Sequence, residues 1–110
     1  MTTTMNEDPR IFFKDTITYY VPESLSDLGG PESGYLDMPL TVYWGPDRHY
    51  PIHSDALRLS AYQEVLGNAN VNQLCQLINE KNLRRLWKDL VLPTRLRKQW
   101  ETKFPELADV

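Results

Sequence analysis

Four basic residues recur at helical spacing in the second half of the chain, and the chemistry open to them is binding an acidic partner. They stand at i, i+3, i+4 and i+7, and they are Lys81, Arg84, Arg85 and Lys88. A second set of apolar residues repeats this spacing from a different start: Leu83, Leu86, Trp87 and Leu90. In an α-helix the two sets fall on nearly opposite faces. We expect the apolar face to be buried and this basic stripe to be exposed.

The stripe belongs to the positive half of an acidic protein. Residues 1–70 carry ten acids and four bases, whereas residues 71–110 carry eight bases and five acids, within a net charge of −3. Such a charge split favours a binding surface over a reaction. Two further bases extend it, so the predicted partner-binding residues of this basic face are Lys81, Arg84, Arg85, Lys88, Arg95 and Lys98.

Three explanations of the basic face stay open. It could be a solvated surface, or it could pair with the acidic half of the same chain. Docking onto an acidic protein is the function that we favour, and nucleic acid is the alternative because phosphates attract the same cations. Residues 71–90 have the length of a helix-turn-helix, with the turn near residues 79–82. That turn holds no glycine, and the isoelectric point of about 5.3 is acidic.

The histidines His49 and His53 raise the possibility of a metal site. They flank Pro51, and on a strand they would point the same way, with Asp47 or Asp55 as a further ligand. A metal site needs three or four ligands, and no spacing marks a third one. We therefore predict no metal site.

Other reactive groups have structural explanations. Residues 53–55 spell the His-Ser-Asp of a serine triad, but adjacent side chains diverge, and Ser54 suits a helix cap. The lone Cys75 lies on a predicted apolar helix face, which favours a core position and a reducing setting. The glycines of residues 27–34 suit turns, since this loop has two acids and no lysine. We predict a non-enzymatic protein with no catalytic residues and no cofactor.

The first half of the chain is predicted to form strands. Alternating and β-branched residues indicate strands over residues 11–21, 40–44 and 49–53. Residues 45–48 have the composition of a hairpin turn, and Pro51 confines the third strand to a sheet edge or a bulge. Residues 22–34 form a long acidic loop.

The second half is predicted to form helices. Ser54 caps a helix that ends at Gly67, and Asn70 caps the next one. A third helix covers residues 82–90, and the last begins at Pro93 and stops at Pro105. The predicted apolar faces of the first, second and last helices are Leu59, Tyr62, Val65 and Leu66; Val71, Leu74, Cys75 and Ile78; and Leu96, Trp100 and Phe104. Core packing is the better interpretation for Trp87 and Trp100, while Trp44 beside a turn stays open.

The expected fold is α+β, with a small antiparallel sheet or hairpin in the N-terminal half packed against three to four C-terminal helices. A flexible N-terminus over residues 1–10 precedes a single domain over residues 11–107. No apolar run approaches the ~20 residues of a membrane span, and no signal peptide pattern is present. We expect a cytoplasmic protein with a protein partner, possible nucleic-acid binding and no membrane contact.

Scattered motifs between residues 22 and 107 resemble those of small uncharacterised bacterial proteins of this length. They are Asp27-Leu28-Gly29-Gly30-Pro31 with Gly34, Met38-Pro39-Leu40, Trp44-Gly45-Pro46, Leu92-Pro93, Trp100-Glu101 and Phe104-Pro105-Glu106-Leu107. Met38 departs from the leucine expected at its position. Proteins of this set accompany nucleotidyltransferase-like toxins of abortive-infection systems. The resemblance implies an antitoxin-like or regulatory role, and it supplies no catalytic residues.

Overall fold

In a computed structural model, the chain is described for residues 18–43, 45 and 48–108. A two-stranded antiparallel sheet lies in the N-terminal half of this part, and four α-helices follow, so the predicted α+β class is confirmed. The elements are β1 (Tyr35–Asp37), β2 (His49–Pro51), α1 (Asp55–Asn68), α2 (Val71–Leu77), α3 (Glu80–Leu86) and α4 (Thr94–Lys103). Single 3₁₀ turns occupy Leu25–Asp27, Trp87–Asp89 and Pro105–Leu107. The predicted flexible segment, residues 1–10, lies outside the described residues.

The sheet contains one of the predicted strands at its predicted position. β1 and β2 pair with Leu36 opposite Tyr50. The predicted strand over residues 49–53 is shorter and ends at Pro51. Pro51 lies on a strand that has only one sheet neighbour, so its missing N–H leaves the ladder intact. The next residue continues the pairing, since the Ile52 N–H donates to the Gly34 carbonyl at 2.8 Å.

The strand predicted over residues 40–44 is wrong. A turn stands there, because the N–H groups of Val42 and Tyr43 both donate to the Pro39 carbonyl, at 2.9 and 3.0 Å. The Asn68 side chain at the end of α1 donates to the Val42 carbonyl at 3.2 Å and fixes this turn against the helix. A long-range hydrogen bond of this kind leaves no local signal in the sequence.

The hairpin turn predicted over residues 45–48 is also wrong, because it was expected to join strands over residues 40–44 and 49–53. β2 pairs with β1, and an eleven-residue connection joins them. Pro46 and Asp47 of the predicted turn lie outside the described residues. β1 itself was missed because three residues are too few to show a period of two.

The strand predicted over residues 11–21 falls mostly on residues 11–17, which lie outside the described part. Residues 18–21 belong to no strand. Their predicted alternation is nevertheless present, because Tyr19 and Val21 pack on the core while Thr18 and Tyr20 are exposed. The Tyr19 carbonyl accepts a hydrogen bond from the Gln99 side chain at 2.7 Å. A side chain of α4, and not a neighbouring strand, therefore pairs with this backbone.

Both predicted helix caps are confirmed. The Ser54 hydroxyl accepts a hydrogen bond from the Leu57 N–H at 3.3 Å at the start of α1. The Asn70 side chain accepts from the Gln73 N–H at 2.9 Å, and Gln73 returns a bond to the Asn70 N–H at 3.0 Å. This reciprocal capping box satisfies two backbone donors at the start of α2.

Several predicted helix details need correction. α1 continues past Gly67 to Asn68, where an extended Ala69 ends it. α3 begins at Glu80, two residues before its predicted start, because the preceding asparagine caps it. It ends at Leu86, four residues before its predicted end, where the 3₁₀ turn Trp87–Asp89 follows. Val71, expected on an apolar face, is exposed. Pro93 directly precedes α4 rather than opening it.

The core lies where the helices meet, around three aromatic rings. The ring centroids of Trp87 and Trp100 are 5.9 Å apart, and those of Trp100 and Phe104 are also 5.9 Å apart. All three side chains are buried, which confirms the core interpretation of both tryptophans. The Trp87 indole N–H donates to the Glu101 carboxylate at 2.9 Å. Trp44 lies outside the described residues.

The loop before β1 is packed against the junction of α2 and α3. The Gly29 N–H donates to the Cys75 carbonyl at 2.8 Å, and the Gly30 N–H donates to the Ile78 carbonyl at 2.9 Å. A Cβ at Gly30 would lie 2.5 Å from the Leu77 carbonyl oxygen. Glycine is needed there because two backbones approach each other closely. Turn formation explains only Gly34, whose φ is +96°.

Two alanine substitutions test this assignment of the glycines. Gly67→Ala should raise the free energy of unfolding by about 0.5–1 kcal/mol, because alanine favours a helix and nothing obstructs its Cβ. Gly30→Ala should lower it by about 2–3 kcal/mol through overpacking against backbone. Urea denaturation of both variants measures the difference. Destabilisation by Gly67→Ala would instead support the predicted helix stop.

Candidate interaction face

Helix α3 positions the basic stripe. The Asn79 side chain accepts a hydrogen bond from the Asn82 N–H at 3.0 Å and starts the helix. The apolar set on the opposite face is buried, as predicted: Leu83, Leu86, Trp87 and Leu90. The two-faced pattern is therefore confirmed, and core packing turns the stripe toward the surface.

Arg85 is bound to the acidic half of the chain. Its guanidinium donates to both carboxylate oxygens of Asp55 at 2.8 and 3.0 Å. Arg58 donates to the same carboxylate at 2.8 Å. Hydrogen bonds from Arg85 and then Arg58 hold the pKa of Asp55 below its usual value of 3.8. This ion pair joins α3 to the first turn of α1.

Arg84 and Lys81 also have acidic neighbours. Arg84 pairs with Glu80 at 2.9 Å and with Glu106 at 2.7 Å, so it connects α3 to the C-terminal 3₁₀ turn. Hydrogen bonding to Glu106 and Glu80 raises the pKa of Arg84. Lys81 lies 3.3 Å from the Glu32 carboxylate, and both side chains are mostly exposed. Three of the four stripe residues thus make ion pairs within the chain.

Two lysines of the basic face have no acidic partner in the described part of the chain. Lys88 and Lys98 are exposed, and within the described part of the chain no ion pair joins either of them to an acid. The guanidinium of Arg95 lies over the Tyr19 ring, 4.7 Å from its centroid. Because their charges are uncompensated by a carboxylate in these residues, Lys88 and Lys98 are the cations best placed to attract an acidic partner.

Sequence reasoning missed a buried polar network behind the stripe. Asn82 is 1% exposed. Its side-chain N–H donates to the Glu32 carbonyl at 2.9 Å and reaches the Tyr62 hydroxyl at 3.5 Å, while its oxygen accepts from Arg85 at 3.0 Å. The Asn79 N–H also donates to Tyr62, at 3.2 Å. The signal available in the sequence was the pair of asparagines, Asn79 at the helix cap and Asn82 three residues later.

A second missed feature is the rigid segment between the 3₁₀ turn Trp87–Asp89 and α4. The Arg97 guanidinium donates to the carbonyls of Leu90 and, at 3.3 Å, Trp87. The Val91 N–H donates to the Gln63 side chain at 2.8 Å. Arg97 also lies over the Trp87 ring and pairs with Glu101 at 3.5 Å. Arg97 therefore acts inside the structure, although its charge suggests surface.

The two histidines contact one tyrosine on the exposed side of the sheet, as expected for residues that point the same way. The Tyr35 ring stacks on His49 at 4.3 Å and meets His53 edge-on at 6.3 Å. His49 shares a hydrogen bond with Asp37 at 2.7 Å. Among the described residues, no group of three or more His, Cys, Asp or Glu side chains could hold a metal.

The helix-turn-helix alternative corresponds to α2 and α3, which Ile78 and Asn79 connect. α3 has seven residues, and its exposed arginines are held by Asp55 and Glu106. DNA binding by this pair stays a prediction.

Cys75 is half-buried, not a full member of the core. Burial and, secondarily, the Asp27 carboxylate raise the pKa of its thiol. A smaller thiolate fraction at neutral pH makes such a cysteine a poor nucleophile.

Comparison with known proteins finds no family model, no curated protein and no solved structure that matches the chain. Among the helices of the described part, none has the length and apolar character to cross a bilayer. Function must therefore be argued from the face itself.

The Asp55 ion pairs predict a pH dependence of stability. A carboxylate whose pKa is lowered by folding stabilises the native state above its unfolded pKa, and this contribution disappears as the pH falls through the lower, folded value. Asp55→Asn should therefore destabilise at pH 7, and its difference from the native chain should shrink below pH 3.8. Glu64→Gln on the same helix is the control. A difference that does not vary with pH would contradict the pairing.

The environment of Cys75 predicts slow native-state labelling. Ellman's reagent at pH 7 should react with the folded protein far more slowly than with the protein in urea, because burial limits both access and thiolate. Asp27→Asn should raise the native rate modestly. Equal rates in the folded and unfolded protein would show that the thiol is freely exposed.

Proposed function

We propose that this protein is a non-enzymatic, cytoplasmic binding protein that regulates or neutralises another protein by docking its basic face onto an acidic surface. The observation that carries the proposal is the pair of exposed lysines, Lys88 and Lys98, which have no acidic partner among the described residues. Uncompensated cations on an otherwise acidic protein favour one docking orientation.

The arginines contribute differently from the lysines. Arg84 and Arg85 already have two-point contacts with carboxylates. Using them for a partner would leave Glu80 and Glu106 without these pairs and Asp55 with Arg58 alone, which offsets the gain. Lys88 and Lys98 lose no such contact, so they supply the main attraction, while Lys81, Arg84, Arg85 and Arg95 border it.

A protein partner suits these charges better than nucleic acid. Specific binding to duplex DNA typically rests on about six to ten neutralised phosphates. The face offers two uncompensated lysines in the described residues, on a chain of net charge −3. The resemblance to proteins that accompany toxins supports the same choice, with the toxin-like enzyme as the partner.

Charge reversal of the lysines tests the proposal. The partner is retrieved from the native host with the tagged chain, purified, and titrated against Lys88→Glu and Lys98→Glu. Each variant should bind about tenfold more weakly or worse, since close charge pairs contribute about 1.5 kcal/mol or more. Stability should change by less than about 1 kcal/mol, because both side chains are exposed.

Arg48→Glu is the matched control, since it makes the same change of charge at an exposed residue directly before β2. It should bind like the native chain. Equal losses in all three variants would indicate a non-specific charge effect. If the native chain instead binds duplex DNA with a steep dependence on salt, the nucleic-acid alternative replaces the proposal.

A further inference from the structure

One apolar side chain stands out on the surface, and it lies between Lys88 and Lys98 in the sequence. Val91 is 80% exposed, more than any other large hydrophobic residue in the described part of the chain. Leu90 before it is buried, and Leu92 after it packs partly against the core. The chain therefore turns this one side chain outward between two leucines that face inward.

The backbone that carries Val91 is held on several sides. Its own N–H donates to Gln63 at 2.8 Å. The carbonyl before it accepts from Arg97, and the Leu90 N–H donates to the Trp87 carbonyl at 3.3 Å. Pro93 follows with a φ of −56° that its ring restricts. A partner that binds a fixed side chain does not have to order it, which lowers the entropic cost of binding.

The residues that flank Val91 along the chain are mostly positive where they are charged. Lys88 precedes it by three residues, and Lys98 and Arg95 follow in the first turns of α4. No side chain caps the N-terminus of α4, so the positive end of its dipole adds to the same region. Asp89 is the one acid within residues 87–100.

We propose that Val91 is the anchor of the docking face and inserts into an apolar pocket, bordered by carboxylates, on a folded protein partner. This inference rests on the proposed function and adds the chemistry of the partner's surface. A single valine buries little area, so a membrane would hold it weakly, whereas a matched protein pocket removes the whole side chain from water.

The first experiment locates the contact. Benzoylphenylalanine is placed at Val91, and in a control chain at Gln76, an exposed residue of α2. Illumination in the native host should link a discrete protein to position 91 and not to position 76. The same product at both positions, or none at 91, would overturn the proposal.

The second experiment measures the role of the side chain with the cross-linked protein as the purified ligand. Val91→Asp should bind at least about tenfold more weakly, mostly through faster dissociation, because an apolar group is lost from a pocket. Val91→Ile should stay within about threefold of the native chain. Lys88→Glu should instead slow association and weaken the dependence on salt. All three variants should unfold at the same urea concentration as the native chain.

The outcomes separate the two proposals. If Lys88→Glu weakens binding and Val91→Asp does not, the anchor is wrong and the proposed function stands. If neither variant changes binding, both are wrong. Vesicles rich in phosphatidylserine and calf-thymus DNA serve as further probes. Binding to either one that Val91→Asp abolishes would assign the residue to a membrane or a nucleic acid and overturn the protein pocket.

Discussion

The rest of the structure depends on the contact between the glycine-rich loop and the junction of α2 and α3. Gly30 lets the loop backbone reach the Ile78 carbonyl, and Asn79 returns a hydrogen bond to the Gly30 carbonyl at 3.0 Å. Asn82 then binds the Glu32 carbonyl from inside the protein at 2.9 Å. These hydrogen bonds fix the loop, because leaving a buried polar group unpaired costs about 1–3 kcal/mol. The acidic and basic halves of the chain are therefore held in one arrangement.

That arrangement decides which charges are available for binding. It brings Asp55 to Arg85 and Glu32 to Lys81, so the acidic half compensates two of the four stripe residues. Exposed ion pairs contribute little to the stability of the fold. Their importance here is that they occupy cations that a partner would otherwise bind. Lys88 lies beyond the reach of this network, next to a rigid segment that presents Val91. The basic stripe is thus divided: Lys81, Arg84 and Arg85 pair with acids of the same chain, whereas Lys88 stays open to solvent.

Local signals predicted the helical half well. Ser54 and Asn70 cap helices because a short polar side chain satisfies a free N–H within three residues, a contact that sequence alone specifies. The apolar spacing of Leu83 and Trp87 identified the buried face of α3. Predictions failed where the partner was distant in sequence. Tyr19 met a helix side chain in place of a strand, and β1 was recognisable only by its pairing with β2.

The sequence by itself determined the α+β class, the starts of α1 and α2 and the separation of apolar from basic residues, because period and capping depend on neighbours along the chain. It also named the six residues of the basic face. Tertiary structure decided which of these six residues pair with an acid of the same chain. Asp55 lies thirty residues from Arg85, and Glu106 lies twenty-two residues from Arg84. It also decided that Arg97 turns inward while Val91 turns outward, against the hydropathy of both. Hydropathy ranks single residues, whereas exposure depends on the hydrogen bonds and packing of the segment that carries them.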